Sequence, residues 1–300
     1  MEESLIRPGY LLVLPVVVLL VAIEIVPLGY SVLLSLGAVA PSQGSITAAN
    51  YAQLLSDGTL LTSVLVSLFY AAGSTALTFI LGILFATMLT QLKRTRSLVE
   101  SLMLLPVAVS PVVVGVVWSP SGVWDDVNTF IHFVLGLQYI DLTQAYVFLP
   151  VMALSEAWEW TPVVMLVLLG VVTSIPRESI EAASVHGASG FQIFRRIIIP
   201  FVLRSPVTQF VVALRFMDAM RAFEIPFAWS AWVGSPTAGG LTDTLSLYLF
   251  KLLVFPANGA SLQYVSALAV ILCAITVVST TLLIRLLRGL GGVHGDAEAR

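Results

Sequence analysis

Leu60-Leu-Thr-Ser-Val-Leu-Val-Ser-Leu-Phe-Tyr-Ala-Ala-Gly-Ser-Thr-Ala-Leu-Thr-Phe-Ile-Leu-Gly-Ile-Leu-Phe-Ala-Thr-Met-Leu89 contains no Asp, Glu, Lys or Arg. A helix rises about 1.5 Å per residue, so crossing a hydrocarbon core about 30 Å thick takes roughly 20 apolar residues. This run meets that length, and five more stretches do the same, which places spans at residues 10–36, 60–89, 102–118, 145–172, 205–227 and 264–284. The chain of 300 residues is 58% hydrophobic and 10% charged, against roughly 45–50% and about 25% for a soluble globular domain. Lipid is therefore the solvent for most of the chain. The expected fold is all-α: a polytopic membrane protein with six transmembrane helices, forming one domain over residues 1–300. Pro15, Pro27, Pro106, Pro111 and Pro162 fall inside these spans, where kinks are expected.

The net charge of -3 gives no basic excess for nucleic acid. Cys273, the single cysteine, cannot form an internal disulfide and reads as a small packing residue. The first apolar run, from Tyr10, is too long for a signal-peptide core and is expected to be retained.

Short cytoplasmic loops keep Lys and Arg. One set of loops holds Arg7; Lys93, Arg94 and Arg96; Arg177, Arg195, Arg196 and Arg204; and Arg285, Arg288 and Arg300, whereas the opposite set holds only Lys251. Both termini are thus expected in the cytoplasm, with external loops near residues 37–58, 119–143 and 228–263. The protein is expected in the cell membrane, spanning it several times.

The longest cytoplasmic loop, about 174–204 between spans four and five, has the local chemistry of two short helices. Ser174 is a cap candidate, Pro176 suits an opening turn, and Glu178 and Glu181 complement the positive end of the helix dipole. Gly187 supplies a left-handed stop. Ser189 and Gln192 then have capping-box spacing and start a second helix. On that helix Phe191, Phe194 and Ile198 share a face, Arg195 and Arg196 lie towards the other, and Pro200 marks the entry to span five. Such a bent amphipathic pair is either an interfacial helix on lipid headgroups or a docking element. Small residues at Ala182, Ala183 and Gly187 favour docking, because they let a partner surface approach the backbone.

Glu181-Ala182-Ala183, with Gly187 four residues on and then Ile197 and Pro200, resembles the E-A-A-x-x-x-G … I-x-L-P signature of permease subunits of binding-protein-dependent ABC importers. Ile199 replaces the usual Leu, and His186 stands where many sugar permeases carry Asp. Most of the chain resembles the carbohydrate branch, the maltose-, trehalose- and glycerol-phosphate-type permeases. Asn50-Tyr51-Ala-Gln-Leu-Leu, Trp158-Glu-Trp-Thr-Pro162, Phe216-Met-Asp218-Ala-Met-Arg221-Ala-Phe223, Thr244-Leu-Ser-Leu-Tyr248 and Tyr264-Val-Ser-Ala-Leu-Ala269 are similar to motifs of that branch.

The resemblance implies a permease that forms part of the path for a sugar or polyol. It implies a second homologous membrane subunit, two cytoplasmic ATPase subunits holding ATP and Mg²⁺, and an external solute-binding protein. By the same resemblance Glu181, Ala182, Ala183, His186, Gly187, Ser189, Arg195 and Pro200 couple to the ATPase, and ATPase closure drives alternating access. The chain lacks G-x-x-x-x-G-K-[ST], so it has no phosphate cradle of its own. It is not expected to be an enzyme or to hold a cofactor.

An ionisable group at mid-bilayer costs about 2.5–3.5 kcal/mol on insertion scales. Glu24, Glu156, Glu159, Arg215, Asp218, Arg221 and Glu224 are therefore functional candidates. In span five the last four recur every third residue with alternating sign, and i,i+3 neighbours pair on a helix. Two readings stand: these ions lock helices together, or some line the solute path. The path candidates are Glu156, Trp158, Glu159, Trp160, Asp218, Arg221 and Tyr248. Trp158 and Trp160 suit either a membrane interface or stacking on sugar rings, and Tyr248 is equally suited to the outer loop.

His132, His186 and His294 fall in separate loops and make no metal site. Two other functions compete with this reading. An intramembrane serine protease would use Gly187-Ala-Ser189-Gly190, but Ser189 lies in a basic cytoplasmic stretch with no later-span histidine as base. A secondary transporter would show related halves with broken helices, and no such repeat is visible.

Overall fold

The computed structural model describes residues 8–39, 46–92, 94–141, 145–233, 243–255 and 260–292. Among them every regular element is helical. In chain order these are α1 (Pro8–Leu20), a π segment (Val21–Ile25), α2 (Val26–Ser35), α3 (Ala49–Leu55), α4 (Gly58–Leu89), α5 (Arg96–Met103), a 3₁₀ turn (Leu105–Ala108), α6 (Pro111–Val117) and α7 (Val123–Leu135). Then come α8 (Ala145–Thr173), α9 (Arg177–Val185), α10 (Gly190–Ile193), a second π segment (Phe194–Ile198), α11 (Ile199–Arg204), α12 (Pro206–Met220), α13 (Glu224–Val233), α14 (Leu245–Val254) and α15 (Leu262–Gly292). Arg7, Lys93, His294 and Arg300 lie outside the described residues.

Among the described residues, four helical stretches are long and apolar enough to cross a membrane: Val13–Ser35, Gly58–Leu89, Val147–Thr173 and Leu262–Gly289. Two further pairs are bent, Arg96–Ala108 with Pro111–Val117 at 91° and Gly190–Arg204 with Pro206–Ala231 at 73°, and counting each as one span gives six. The third and fifth spans are thus sharply bent, the third at Pro111, one of the prolines where kinks were expected. Both breaks are Ser-Pro steps. Ser110 (φ -62°, ψ 137°) and Ser205 (φ -64°, ψ 126°) are extended, because a proline ring excludes the helical region for the residue before it. The following helix then starts with proline, where a missing N–H costs nothing.

Two other prolines widen the ladder instead of breaking it. Pro27 and Pro200 each follow a π segment by two residues. There the chain takes π spacing, with Val26 N–H on Val21 O and Ile199 N–H on Phe194 O. The proline ring crowds the carbonyl four residues back, and one extra residue in the turn relieves that clash. Pro200 therefore sits inside a continuing helix, and the entry to span five is the Ser205-Pro206 bend.

The body is built on α4 and α8, which pack along their lengths. At Gly82 a side chain would meet Val164 at 3.1 Å and the Met165 backbone at 3.3 Å, so glycine sets how closely they approach. One end of the pair joins α11 in a core of Ile83, Leu89, Met165, Leu168, Ile198 and Val202. Towards the other end, Tyr70, Val114, Phe148, Met152, Ile225 and Trp229 join α4, α6, α8 and α13. A third core, with Leu54, Leu245, Tyr248 and Leu268, joins α3, α14 and α15. Outward residues such as Leu61, Leu65, Phe69, Val277 and Val278 are apolar and exposed, as a lipid-facing surface requires.

The loops expected outside the spans carry helices of their own: α3, α7 and α14. Of these, α14 returns into the bundle. Its first N–H groups are met by Ser67 Oγ, from Leu245 N at 2.7 Å, and by the Thr244 side chain as N-cap. Thr244 in turn donates to Ala222 O at 2.9 Å. Ser67 lies nine residues inside α4, about 13 Å from its start, so the tip of α14 is seated deep.

Candidate functional site

A cavity of about 370 Å³ opens between α4, α6, α8, α12 and α13, lined by Tyr70, Pro111, Glu156, Glu159, Trp160, Asp218, Arg221 and Glu224, with Ala222 and Ile225. Five of the seven path candidates, Glu156, Glu159, Trp160, Asp218 and Arg221, thus meet in one place. Glu156 and Glu159 lie three residues apart on α8, within one turn of each other. They are 4% and 5% exposed, and each keeps one carboxylate oxygen, Oε2, without a hydrogen-bond partner.

Behind the cavity stands Arg215, 4% exposed. Its Nη2 lies 2.5 Å from Glu156 Oε1 and donates to Ser74 Oγ at 2.7 Å, while Nη1 reaches Asp218 Oδ2 at 3.2 Å. The guanidinium also faces the Trp160 ring, 5.1 Å from its centroid. One side chain therefore ties α4, α8 and α12 together and fixes an indole and two carboxylates at the cavity wall. The i,i+3 ladder expected along span five stops there. The helix ends at Met220, Arg221 is its C-cap and Glu224 opens α13, so Arg221 and Glu224 are not on one continuous helix and form no ion pair. Arg215 thus locks helices together, while Glu159, Asp218, Arg221 and Glu224 face the cavity.

Two path candidates sit elsewhere. Trp158, 39% exposed, points to the other side of α8 and packs against Trp118 with ring centroids 5.8 Å apart. Tyr248, expected to suit an exposed outer loop, is 2% exposed. It donates to Asp57 Oδ2 at 2.6 Å, where Tyr264 also donates at 3.1 Å, while Asp57 Oδ1 caps α4 through Thr59 N at 2.8 Å. Lys251 and Asp243 form a buried ion pair at 2.7 Å, so the one basic residue of the expected outer loops is folded into the protein. The sequence reading missed Tyr70, although Ser63, Ser67, Ser74 and Thr78 stand at helical spacing around it and mark a polar stripe along an otherwise apolar run.

The loop from 174 to 204 forms a jointed hook. Its first helix, α9, has Pro176 at the N-cap position and no side-chain cap; Ser174 Oγ donates back to Val171 O at 2.7 Å and so serves the end of α8. Gly187 stops α9 at φ +79°. The Ser189 box then forms both ways, with Ser189 N–H on Gln192 Oε1 at 2.8 Å and Gln192 N–H on Ser189 Oγ at 3.3 Å. Glu181, Ala182, His186, Gly187, Ser189 and Arg195 are exposed, and Ala183 and Pro200 half-buried. Ile198 is buried, but Phe191 is 70% exposed, away from the face it was expected to share. Val185 at the end of α9 is 86% exposed. The hook thus presents small, charged and apolar groups outward on a rigid frame.

Residues 78–290 match the family described as "Binding-protein-dependent transport system inner membrane component". A probable ABC transporter permease of Sinorhizobium fredii is 30% identical over 79% of this chain and 77% of its own. The trehalose/maltose transport system permease MalF of Thermococcus litoralis is 28% identical, over 81% and 82%. The trehalose transport system permease SugA of Mycobacterium tuberculosis is 28% identical, over 73% and 71%. In fold, the chain superposes on a bacterial alginate ABC transporter with a TM-score of 0.73 at 21% identity, covering 97% of this chain and 99% of the other. With spans, hook and family in agreement, the chain belongs to the binding-protein-dependent inner membrane components and is a multi-pass permease of an ATP-driven ABC importer.

Proposed function

We propose that this permease carries a sugar or related polyol, and that the cavity at Glu156, Glu159, Trp160, Asp218 and Arg221 is part of its path. The observation that carries the reading is the composition of that one cavity. Carboxylates lining the cavity suit hydroxyl donors through charge-assisted hydrogen bonds, and an indole beside them offers a flat apolar face. An anionic solute would meet four carboxylates. Relatives named for trehalose and maltose support the same class.

The hook would dock on a cytoplasmic ATPase through Glu181, Ala182, Ala183, His186, Gly187, Ser189 and Arg195, with Pro200 in the helix that carries the motion into span five. Both termini and the 174–204 loop then lie in the cytoplasm. The assembly would hold a second homologous permease, two ATPase subunits carrying ATP and Mg²⁺, and an external solute-binding protein; this chain would supply neither catalysis nor a cofactor. A periplasmic protein bound to an alginate pentasaccharide accompanies the transporter of like fold. ATP-driven closure would bias a rigid-body switch between inward- and outward-facing states.

The test is uptake of labelled trehalose or maltose by the full importer in proteoliposomes. Uptake should need ATP and survive ionophores, and Trp160→Ala should raise KM several-fold. Uptake driven by an ion gradient without ATP would refute the importer reading, and an unchanged KM would remove the cavity from the path.

A further inference from the structure

The first span carries one charge, and nothing among the described residues answers it. Glu24 lies deep inside the first span, sixteen residues after the start of α1 at Pro8 and eleven before the end of α2 at Ser35. At about 1.5 Å per residue it stands some 16 Å or more from either end, too far for a short side chain to reach headgroups or water. It is exposed, as is every described side chain from Val13 to Tyr30. It makes no hydrogen bond or ion pair among the described residues. By contrast, the intramembrane charges Glu156, Arg215 and Asp218 are joined to one another. Glu24 also lies in the π segment Val21–Ile25, a helix defect frequent at functional positions.

Lipid tails do not satisfy a carboxylate at this depth. The apolar side chains around Glu24 suit lipid and its carboxylate does not, which favours a partner group on another membrane-spanning polypeptide. We propose that Glu24 pins this span to the companion permease subunit by pairing with an arginine or lysine on a transmembrane helix of that subunit. The π segment and Pro27 set the direction in which the carboxylate points. The pairing rests on the proposed presence of a second permease, although not on the nature of the solute.

The test uses the complete importer extracted in mild detergent through a tag on this chain. Glu24→Ala would leave a buried cation unpaired on the companion, and recovery of that subunit should fall about thirtyfold. The level of this chain in the membrane should stay the same. Glu24→Asp should recover most of the loss. A photo-crosslinking residue at Ile23 should couple to the companion in native membranes, independently of how any Glu24 variant folds. Full recovery of the companion with Glu24→Ala would overturn the proposal. So would crosslinks only to lipid or to a second copy of this chain. If the ATPase and transport were retained by a Glu24→Ala complex while Gly187 variants lost them, the pin would fail and the permease reading would stand.

Discussion

Arg215 and Glu156 meet at 2.5 Å inside the bundle, with their side chains 3% and 5% exposed, and this contact holds α12 against α8 behind the cavity. Removing one partner of a buried pair strands the other charge, at a cost of about 3–5 kcal/mol. Arg215→Met should therefore lower the thermal unfolding midpoint of the detergent-solubilised complex. Adding Glu156→Gln should restore much of it, since the uncompensated carboxylate is then gone. A single variant as stable as the parent would show that the pair holds nothing.

Asp57 links α4 to α14 and α15. Burial works to raise its pKa, but hydrogen bonds from Tyr248, from Thr59 and from Tyr264 outweigh it and hold the carboxyl below 3.8. A lowered folded-state pKa means that the ionised form stabilises the fold above the unfolded value, and that this contribution is lost as pH falls through the folded one. Asp57→Asn should be less stable than the parent at about pH 7, with the gap closing below about pH 4. Thermal melts across that range check both the sign and the window.

Gly187 sits at φ +79° with open space where a side chain would go. The penalty for any L-residue there is conformational, about 1–2 kcal/mol, and not a clash. Gly187→Val should leave the protein inserted at normal levels while bending the hook out of register with its ATPase, so that ATP hydrolysis continues and solute uptake falls. Uptake and phosphate release in the same proteoliposomes separate the two, and unchanged uptake would end the coupling role.

Gly115 is a different case. A methyl group there would lie 2.7 Å from Ala228 Cβ and 3.1 Å from Ile225 Cα. Because α6 and α13 both line the cavity, Gly115→Ala must push them apart, at about 1–3 kcal/mol for overpacking. Both a lower melting midpoint and a raised KM for uptake are expected; a change in stability alone would show that the cavity wall adjusts elsewhere.

The hook was legible because its information is local. The Ser189–Gln192 box spans four residues, and Gly187 needs only its own backbone freedom, so both could be read at the right positions. Ser174 shows the limit even there. Its hydroxyl had two nearby uses, and the carbonyl of Val171 won over the start of α9. The bends at Ser110 and Ser205 were also written locally, in the proline that follows each. Length and hydropathy count such a run as one span, however, whichever way its halves point.

Composition and apolar run length alone determined that lipid is the solvent, that helices are the fold and where most spans lie, because backbone groups in hydrocarbon must be satisfied within the segment. Which polar side chains meet was decided only by the tertiary structure. Arg215 finds Ser74 across 141 positions and Tyr248 finds Asp57 across 191. Those pairings depend on how each helix is rotated and tilted against its neighbours. Packing between helices sets those angles, and no periodicity within one helix records them.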